Sequence, residues 1–355
     1  MDPDPALFQE NERTAPVSDL RSYFNLGELS CDCGTTLANV TIAYETWGTL
    51  NESKDNAILI CHAISGDSHA VGWWERIVGP GRAIDSNRYF VIGSNALGGC
   101  QGSTGPASLA EDGKPYANRF PQVTVGDMVE AQYRLIQSFG ISKLHAVAGG
   151  SMGGMQALEW SLRKPGKVKR VWMTASCAAH NALQIGYNET ARQAILRDPK
   201  WCGGDYLLQE PPLDGLAVAR MVGHLSYLSE ASFERKFGRR LQPENDDQFQ
   251  VESYLNYQGD KFTQRFDANS FLVLSRAIDR FERPSLEGSE SSYLFTSFTS
   301  DTLYPSHQSH ALHEMALQVG RPSKWEDIDL PFGHDAFLLD GEIQAACVRD
   351  FLACD

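Results

Sequence analysis

Apolar positions in the first half of the chain form short continuous runs and one longer stretch with helical spacing. Buried strands are predicted at 40–46, 57–61, 89–93, 144–148 and 168–175. A helix is predicted from Val125 to Phe139, and Thr124 with Asp127 has the pattern of a capping box at its start. Strands that alternate with helices predict an α/β fold, with a mostly parallel sheet and helices on both faces.

The pattern changes in the middle of the chain. Between about Cys177 and Leu286, helical spacing predominates, at 189–196, 216–228 and 271–281. Strand-like runs return at 293–298 and 325–330. The sequence therefore predicts a core made of residues 21–176 and 292–355, interrupted by a helical lid at residues 177–291.

Composition and charge narrow the class of protein. A chain of 355 residues, 42% of them hydrophobic, can bury a large core, and its formal charge of −14 argues against nucleic acid or an anionic membrane as main partner. Its 8 cysteines include no C-x-x-C pair and are predicted to be reduced thiols. Residues 1–20 are polar and acidic, unlike a signal peptide, and are predicted to be mobile. With no apolar run of membrane-spanning length, these features predict a soluble cytoplasmic protein.

The strongest chemical signal is the stretch Gly149–Gly154, which contains a G-x-S-x-G motif centred on Ser151. An apolar run precedes the motif, and apolar residues with helical spacing follow it until Pro165. In a sharp turn from strand to helix, glycines leave room that side chains would fill, and the serine hydroxyl projects from the turn. The motif predicts that Ser151 is a nucleophile; the alternative is a glycine-rich helix entry that binds nothing.

A nucleophilic serine needs a histidine that accepts its proton and an acid that orients the histidine. His334 follows the last predicted strand, and Asp301 follows the run 293–300, so both are expected on loops at the carboxyl ends of strands. We predict His334 as the general base and Asp301 as the acid. Asp327 and Asp329 are rival acids, but they fall within a strand-like run and are more typical of solvated strand carboxylates.

Acyl transfer also needs two N–H donors for the developing oxyanion. The N–H of Met152, directly after the serine, is predicted to be one donor, and the loop after the strand 57–61 supplies the other. Ile64 is the choice in that loop, although Ala63 would serve as well. Histidines three residues apart on a helix do not converge on one ion, so no metal is predicted at positions 307, 310 and 313.

Besides the serine motif, the chain contains several long and particular stretches: Tyr44–Gly48, His62–Gly66, Gly72–Trp74, Gly79–Gly81, Asn95–Pro106, Gly149–Trp160 and Gly333–Leu338. Together these stretches resemble the homoserine O-acyltransferases of methionine biosynthesis, and the resemblance covers nearly the whole chain after about residue 20. The resemblance implies an α/β-hydrolase core with a helical lid that helps to form a homodimer. It also implies ping-pong transfer of an acyl group from acyl-CoA to the hydroxyl of homoserine, without a permanently bound cofactor.

The resemblance further implies roles for individual residues. It places Ser151, Asp301 and His334 in a catalytic triad and the amides of Ile64 and Met152 in an oxyanion hole. These roles agree with the choices made from the residues alone.

The resemblance also implies a site for homoserine and a choice of donor. A buried zwitterion needs a cation for its carboxylate and an anion for its ammonium group. By motif, the family's arginine and aspartate for this purpose fall on Arg220 and Asp335. Members of the succinyl type carry an arginine two residues after the catalytic aspartate, where this chain has Leu303. Acetyl-CoA is therefore the expected co-substrate.

Three classes of function remain open on such a fold: acyltransferase, ester hydrolase and catalytically silent binding protein. A triad and an oxyanion hole would serve transfer and hydrolysis equally well. Arg220, Asp335 and the lid favour transfer, and the presence of every triad candidate argues against a silent protein. We expect transfer of an acetyl group to L-homoserine, with homoserine O-succinyltransferase or serine O-acyltransferase activity as the alternatives within the family.

Overall fold

A computed structural model describes residues 21–243 and 245–354. Residues 1–20, predicted from the sequence to be mobile, lie outside the described residues. The strands are β1 (Ser22–Ser30), β2 (Thr36–Trp47), β3 (Ala57–Cys61), β4 (Val78–Gly79), β5 (Ile84–Asp85), β6 (Phe90–Ser94), β7 (Leu144–Gly150), β8 (Val168–Thr174), β9 (Leu241–Gln242), β10 (Asn245–Phe249), β11 (Ser292–Phe298) and β12 (Ser323–Ile328).

Eight of these strands form one sheet, in the spatial order β1-β2-β6-β3-β7-β8-β11-β12. From β6 to β12 neighbouring strands are parallel, whereas β1 with β2 and β2 with β6 are antiparallel. The mostly parallel sheet predicted from the sequence is therefore confirmed. The apolar pattern misses only β1 of the eight, because most of its residues are at least partly exposed and form no continuous apolar run.

The helices are α1 (Ala70–Trp73), α2 (Val125–Ser138), α3 (Met152–Arg163), α4 (Ala182–Leu196), α5 (Leu213–Tyr227), α6 (Glu230–Lys236), α7 (Gln250–Thr263), α8 (Ala268–Asp279), α9 (Ser306–Gln318), α10 (Ala336–Leu339) and α11 (Ile343–Ala353). The predicted capping box at the start of α2 is confirmed, since Thr124 and Asp127 each accept the backbone N–H of the other. None of the helices in the described part of the chain is long and apolar enough to cross a membrane.

Helices cover both faces of the sheet, and each face has its own hydrophobic core. Along β3, Leu59 belongs to one core, whereas Ile58 and Ile60 belong to the other, as the two-residue period of a strand requires. Helices α2 and α3 contribute to the core of Leu59, and α11 contributes Val348 to the opposite core. Burial on both faces explains why this strand appears in the sequence as a continuous apolar run.

Residues 177–291, between β8 and β11, contain helices and no strand of the large sheet. This inserted segment comprises α4 to α8 and the small antiparallel pair of β9 and β10. Helix α5 packs against both α4 and α7, and α4 also packs against α8. The sequence pattern predicts only the second half of α4, because the first half contains Gly186 and its apolar residues Leu183 and Ile185 are exposed and form no buried stripe. Asn181 caps the helix in a capping box with Gln184.

The loops at one edge of the sheet carry the residues predicted for catalysis. Ile64 follows β3, Ser151 follows β7, Asp301 follows β11 and His334 follows β12. Because the carboxyl ends of parallel strands meet at the same edge, the topology brings these four residues to one side of the molecule.

Candidate active site

Ser151 occupies the sharp turn between β7 and α3, in a backbone conformation that few side chains adopt. Its φ is 55° and its ψ is −124°, a region that strains any residue with a Cβ atom. The flanking glycines are required for space. A Cβ on Gly149 would lie 2.3 Å from the backbone of Gly153, and one on Gly153 would lie 2.0 Å from the carbonyl oxygen of Cys61. This strained, glycine-flanked turn has the geometry of a nucleophile elbow.

The predicted base and acid, His334 and Asp301, are in direct contact. His334 Nδ1 lies 2.8 Å from Asp301 Oδ2, and the two side chains are 4% and 0% exposed. The other carboxylate oxygen, Oδ1, accepts the backbone N–H groups of Leu303 and Tyr304 at 2.9 and 2.8 Å. This network assigns the imidazole hydrogen to Nδ1 and leaves Nε2 as a proton acceptor.

The rival acids have other partners. Asp327 Oδ1 accepts two serine hydroxyls at 2.8 and 2.6 Å, and Asp329 Oδ1 accepts the hydroxyl of Thr299 at 2.7 Å. These bonds tie neighbouring strands and loops together, whereas His334 bonds to Asp301.

Tyr304, a residue that no motif singled out, contacts Asp301 and His334 and lines the pocket into which Ser151 opens. Its ring lies 4.9 Å from the His334 ring, with an interplanar angle of 22°. Its N–H donates to Asp301 at 2.8 Å, its hydroxyl lies 2.7 Å from His180 Nε2, and it lines the same pocket as Ser151. Burial raises the pKa of the Tyr304 hydroxyl well above its ordinary value, so it remains a phenol at neutral pH. Its sequence signal is its position on the loop three residues after Asp301.

The predicted oxyanion donors lie near the serine. Met152 is the first residue of α3, so its N–H is at the positive end of the helix dipole. Ile64 lines the same pocket as Ser151. Of the two alternatives on the loop after β3, Ile64 is therefore the one that faces the pocket.

Hydrogen bonds fix the loop that carries Ile64. The carbonyl oxygen of Ala63 accepts the N–H of Gly66 at 2.9 Å and contacts His62 Nδ1 at 2.6 Å. His62 Nε2 accepts the N–H of Ala96 at 2.9 Å. The imidazole therefore holds one loop against the next and has its hydrogen on Nδ1.

Ser151 opens into a pocket of about 50 Å³ that lies between the sheet edge and the inserted segment. Side chains that line it include His180, Gln184, Arg220, Tyr227, Leu303 and Tyr304. A cavity needs about 10–15 Å³ to hold one water molecule. The pocket therefore has room for a few water-sized groups beside the serine, such as a short acyl chain, but not for the body of a nucleotide.

Arg220 and Asp335, the predicted partners of a zwitterion, both affect the pKa of the Tyr227 hydroxyl through their charges. The guanidinium carbon of Arg220 lies 5.5 Å from the centroid of the Tyr227 ring and 4.9 Å from that of Phe262. Burial raises the pKa of the Tyr227 hydroxyl; the charge of Asp335 adds to this effect and that of Arg220 opposes it. Asp335 directly follows His334. A cation and an anion thus lie within electrostatic reach of one half-buried tyrosine, whose ring is 5.9 Å from that of the general base.

No group of three or more His, Cys, Asp or Glu side chains in residues 21–243 and 245–354 is arranged to hold a metal ion. On α9, His310 packs on Trp325 with ring centroids 4.5 Å apart, and His313 Nδ1 lies 2.8 Å from the Ser323 hydroxyl. These histidines therefore join α9 to β12.

The arrangement suits attack on a carbonyl carbon. It combines a serine in a strained elbow, a buried carboxylate–imidazole pair on the same sheet edge and a helix N-terminus directly after the serine. The product of such an attack is an ester on Ser151, which a second hydroxyl compound or water can resolve.

Known proteins resemble the chain over most of its length. Residues 56–340 match the family model of the α/β hydrolase fold. The homoserine O-acetyltransferase of Solidesulfovibrio magneticus is 46% identical, over 94% of this chain and 92% of that protein. The crystal structure of homoserine O-acetyltransferase from Bacillus anthracis has a TM-score of 0.88 and 30% identity, over 94% of this chain and 98% of that one. Esterase E22 has a TM-score of 0.87 and 31% identity, over 94% and 99%.

Proposed function

The chain belongs to the homoserine O-acetyltransferases, a family of acyltransferases with the α/β-hydrolase fold, and we propose that it transfers an acetyl group from acetyl-CoA to the hydroxyl of L-homoserine through an ester on Ser151. The observation that carries the proposal is the 2.8 Å contact between His334 and Asp301 at the sheet edge that also carries Ser151. The product, O-acetyl-L-homoserine, would serve methionine biosynthesis, as the family resemblance implies, and we place this activity in the cytoplasm as the sequence analysis predicts.

In the first half-reaction, Ser151 Oγ attacks the thioester carbonyl, and His334 Nε2 takes the serine proton. The carbonyl oxygen gains negative charge, which the N–H groups of Met152 and Ile64 stabilise. The carbon–sulfur bond then breaks, and the CoA sulfur leaves with the proton from His334. The Asp301 carboxylate holds the imidazole in orientation and balances its transient positive charge.

In the second half-reaction, the homoserine hydroxyl occupies the place that the CoA sulfur has left. His334 takes its proton while the oxygen attacks the ester carbonyl. Collapse of the tetrahedral adduct breaks the bond to Ser151 Oγ, which takes the proton back from His334. Both steps therefore use the same base and the same oxyanion donors, and no proton is gained or lost overall.

Arg220 and Asp335 give the acceptor its orientation in this proposal. A carboxylate and an ammonium group that leave water need charged partners, and these two side chains offer one of each sign near the base. Two observations support this assignment: Arg220 lines the pocket with Ser151, and the charges of Arg220 and Asp335 both affect the pKa of Tyr227, which lines the same pocket.

The proposal names acetyl-CoA as donor. Leu303, which lines the pocket with Ser151, is apolar, so a succinyl group would bring a second carboxylate without a cation at this position.

We further propose a homodimer formed through the inserted segment. On α5, the apolar side chains of Leu213, Val218 and Leu225 are 42%, 46% and 54% exposed in the single chain. Association that covers such residues lowers their contact with water. Sedimentation of the wild type and of Val218→Lys tests this part, since the substitution should shift the protein toward the monomer.

Ester hydrolysis is the second candidate, because esterase E22 shares the framework with a TM-score of 0.87. Release of free CoA from acetyl-CoA by the purified protein, with and without L-homoserine, separates the two. Release that depends on homoserine supports transfer, whereas release that ignores homoserine supports hydrolysis or another acceptor. Succinyl-CoA and L-serine, tested in the same assay, examine the alternatives within the family.

A further inference from the structure

His62 lies directly after β3, between two loops, and the mechanism above does not use its side chain. The residue is 2% exposed. Its Nε2 lies 2.9 Å from the backbone nitrogen of Ala96, which donates its hydrogen to the ring. A neutral imidazole has one hydrogen on its two nitrogens, so that of His62 is on Nδ1, 2.6 Å from the carbonyl oxygen of Ala63. These two hydrogen bonds fix the orientation of the ring and the group to which it donates.

The acceptor of this hydrogen bond belongs to the peptide group that carries the proposed oxyanion donor. The carbonyl of Ala63 and the N–H of Ile64 are the two ends of one planar, trans peptide group, so they point in opposite directions. A bond that fixes the carbonyl therefore also fixes the direction of the N–H. The N–H of Gly66 donates to the same oxygen at 2.9 Å. Within residues 21–243 and 245–354, no group accepts the N–H of Ile64, which leaves it for a ligand.

The hydrogen bonds to the Ala63 carbonyl also change the strength of this donor. When a carbonyl oxygen accepts hydrogen bonds, the peptide group is polarised, and its N–H donates more strongly. An oxyanion gains most from a donor that is already aligned and polarised, because nothing has to reorganise while the charge develops. The imidazole of His62 supplies both conditions without touching the substrate.

The surroundings hold the loop against His62. A Cβ on Gly66 would lie 2.7 Å from the Cβ of His62, so the loop turns back closely onto this side chain. From α3, the side chain of Gln156 donates to the His62 carbonyl oxygen at 3.4 Å. From the inserted segment, Arg265 donates to the carbonyl oxygen of Ser65 at 2.8 Å. The loop is therefore held by the helix that follows the nucleophile and by the inserted segment as well as by the imidazole.

We propose that His62 is a positioning residue for the oxyanion hole, because its Nδ1–H orients and polarises the peptide group between Ala63 and Ile64. This inference rests on the proposed function, which assigns the Ile64 N–H to the oxyanion. The rate of acylation then depends on the hydrogen bond from Nδ1, whereas Nε2 tethers the ring to Ala96. Substitution can separate these two halves of the imidazole.

The test compares His62→Asn with His62→Gln. The asparagine amide can put an N–H near the position of Nδ1 but offers Ala96 no acceptor there, whereas the glutamine amide can put an oxygen near the position of Nε2 but has no N–H at Nδ1. The probe is p-nitrophenyl acetate, whose first burst of p-nitrophenolate gives the rate of acylation of Ser151. We expect His62→Gln to be acylated about 10- to 100-fold more slowly than His62→Asn, part of the cost of about 10²- to 10³-fold for removing an oxyanion donor outright. Thermal unfolding checks that both variants are folded.

A second probe distinguishes a weaker oxyanion hole from a displaced loop. In p-nitrophenyl thionoacetate, sulfur replaces the carbonyl oxygen and accepts hydrogen bonds weakly. Relative to the wild type, His62→Gln should therefore lose less rate with the thionoester than with the oxygen ester, and His62→Ala, with a smaller side chain, should do the same. A displaced serine or loop would slow both esters by the same factor. His145→Gln, at a half-buried histidine 3.3 Å from the carbonyl oxygen of Leu352, is the control and should leave both rates unchanged.

The outcomes separate this inference from the proposed function. If His62→Gln is acylated as fast as His62→Asn or faster, or if the substitutions slow both esters equally, the inference is overturned. Peptide mapping after incubation with each acyl donor tests the proposed function in the same proteins. Acylation of Ser151 by the ester but not by acetyl-CoA overturns the proposed transfer and leaves the comparison of the His62 variants valid. A wild type in which no donor acylates Ser151 overturns both.

Discussion

His334 Nδ1 lies 2.8 Å from Asp301 Oδ2, although the two residues are 33 positions apart in the chain. They come from the loops after β11 and β12, which are parallel neighbours in the sheet. The contact is therefore a consequence of strand order, since loops after adjacent parallel strands emerge side by side. With both side chains almost completely buried, water does not compete for the bond, and the imidazole keeps one orientation.

Asp301→Asn should lower kcat for CoA release by about 10⁴-fold, because the amide no longer holds the correct imidazole tautomer or balances its charge. The matched control is Asp327→Asn, at a carboxylate on the neighbouring strand that bonds serine hydroxyls. It should retain kcat within a few-fold. Similar losses in both variants would mean that Asp301 has no special relation to the base.

Ser151→Ala should reduce turnover by at least about 10⁴-fold, because no other group takes the place of the nucleophile. Thermal unfolding should show that the Ser151→Ala protein is folded, since the substitution removes only one oxygen atom and keeps the glycines that the turn requires. Turnover near the wild-type rate would require another nucleophile or a direct transfer between the substrates.

Arg220→Ala should raise KM for homoserine about 10- to 100-fold, the cost of losing a hydrogen bond to a charged group. The rate of acylation by acetyl-CoA alone should change little, because the acceptor is absent from that step. Arg197→Ala, at an exposed arginine after α4, is the control. If KM for homoserine is the same in all three proteins, the carboxylate binds elsewhere.

A pair of glycine substitutions tests the geometry of the elbow. Gly153→Ala would put a Cβ 2.0 Å from the Cys61 carbonyl oxygen, so it should lower the free energy of unfolding by about 1–3 kcal/mol and reduce activity. Gly186→Ala, on an exposed position of α4 with nothing within 4 Å of the added atom, should raise it by about 0.5–1 kcal/mol. Urea unfolding of both variants measures the difference. Equal stability would contradict the close packing of the turn.

At acid pH, the free energy of unfolding should depend on the ionisation of Asp279. Its pKa is lower in the folded protein than in the unfolded chain, so its contribution is complete above about pH 4, the ordinary carboxyl pKa, and is lost as the pH falls through the folded value. Asp279→Asn should therefore be less stable than the wild type at pH 7, and the difference should shrink below about pH 4. Urea unfolding at pH 7, 5, 4 and 3 tests this. A difference that is constant with pH would mean that charge is not involved.

The sequence predicts most of the sheet because its inner strands are buried on both faces and appear as continuous apolar runs. It also points to Ser151, Asp301 and His334, because each follows a strand at the edge where parallel strands end. The edge strand β1 is missed, since its exposed residues carry no such run.

Tyr304 and His180 cannot be found in the same way. Their contact depends on the way the start of the inserted segment lies against the loop after β11, and the residues are 124 positions apart. No local spacing encodes that packing. The same holds for Asp279, which reaches His180 from the last turn of α8.

The central claim is that an acyl group passes through an ester on Ser151. The most direct measurement is the mass of the intact protein after incubation with acetyl-CoA, before and after addition of L-homoserine. We predict a gain of one acetyl group, located on Ser151 by peptide mapping, and its disappearance on addition of L-homoserine with formation of an equal amount of O-acetylhomoserine. Turnover without any acylated protein, or an acylated protein that homoserine does not discharge, would contradict the account.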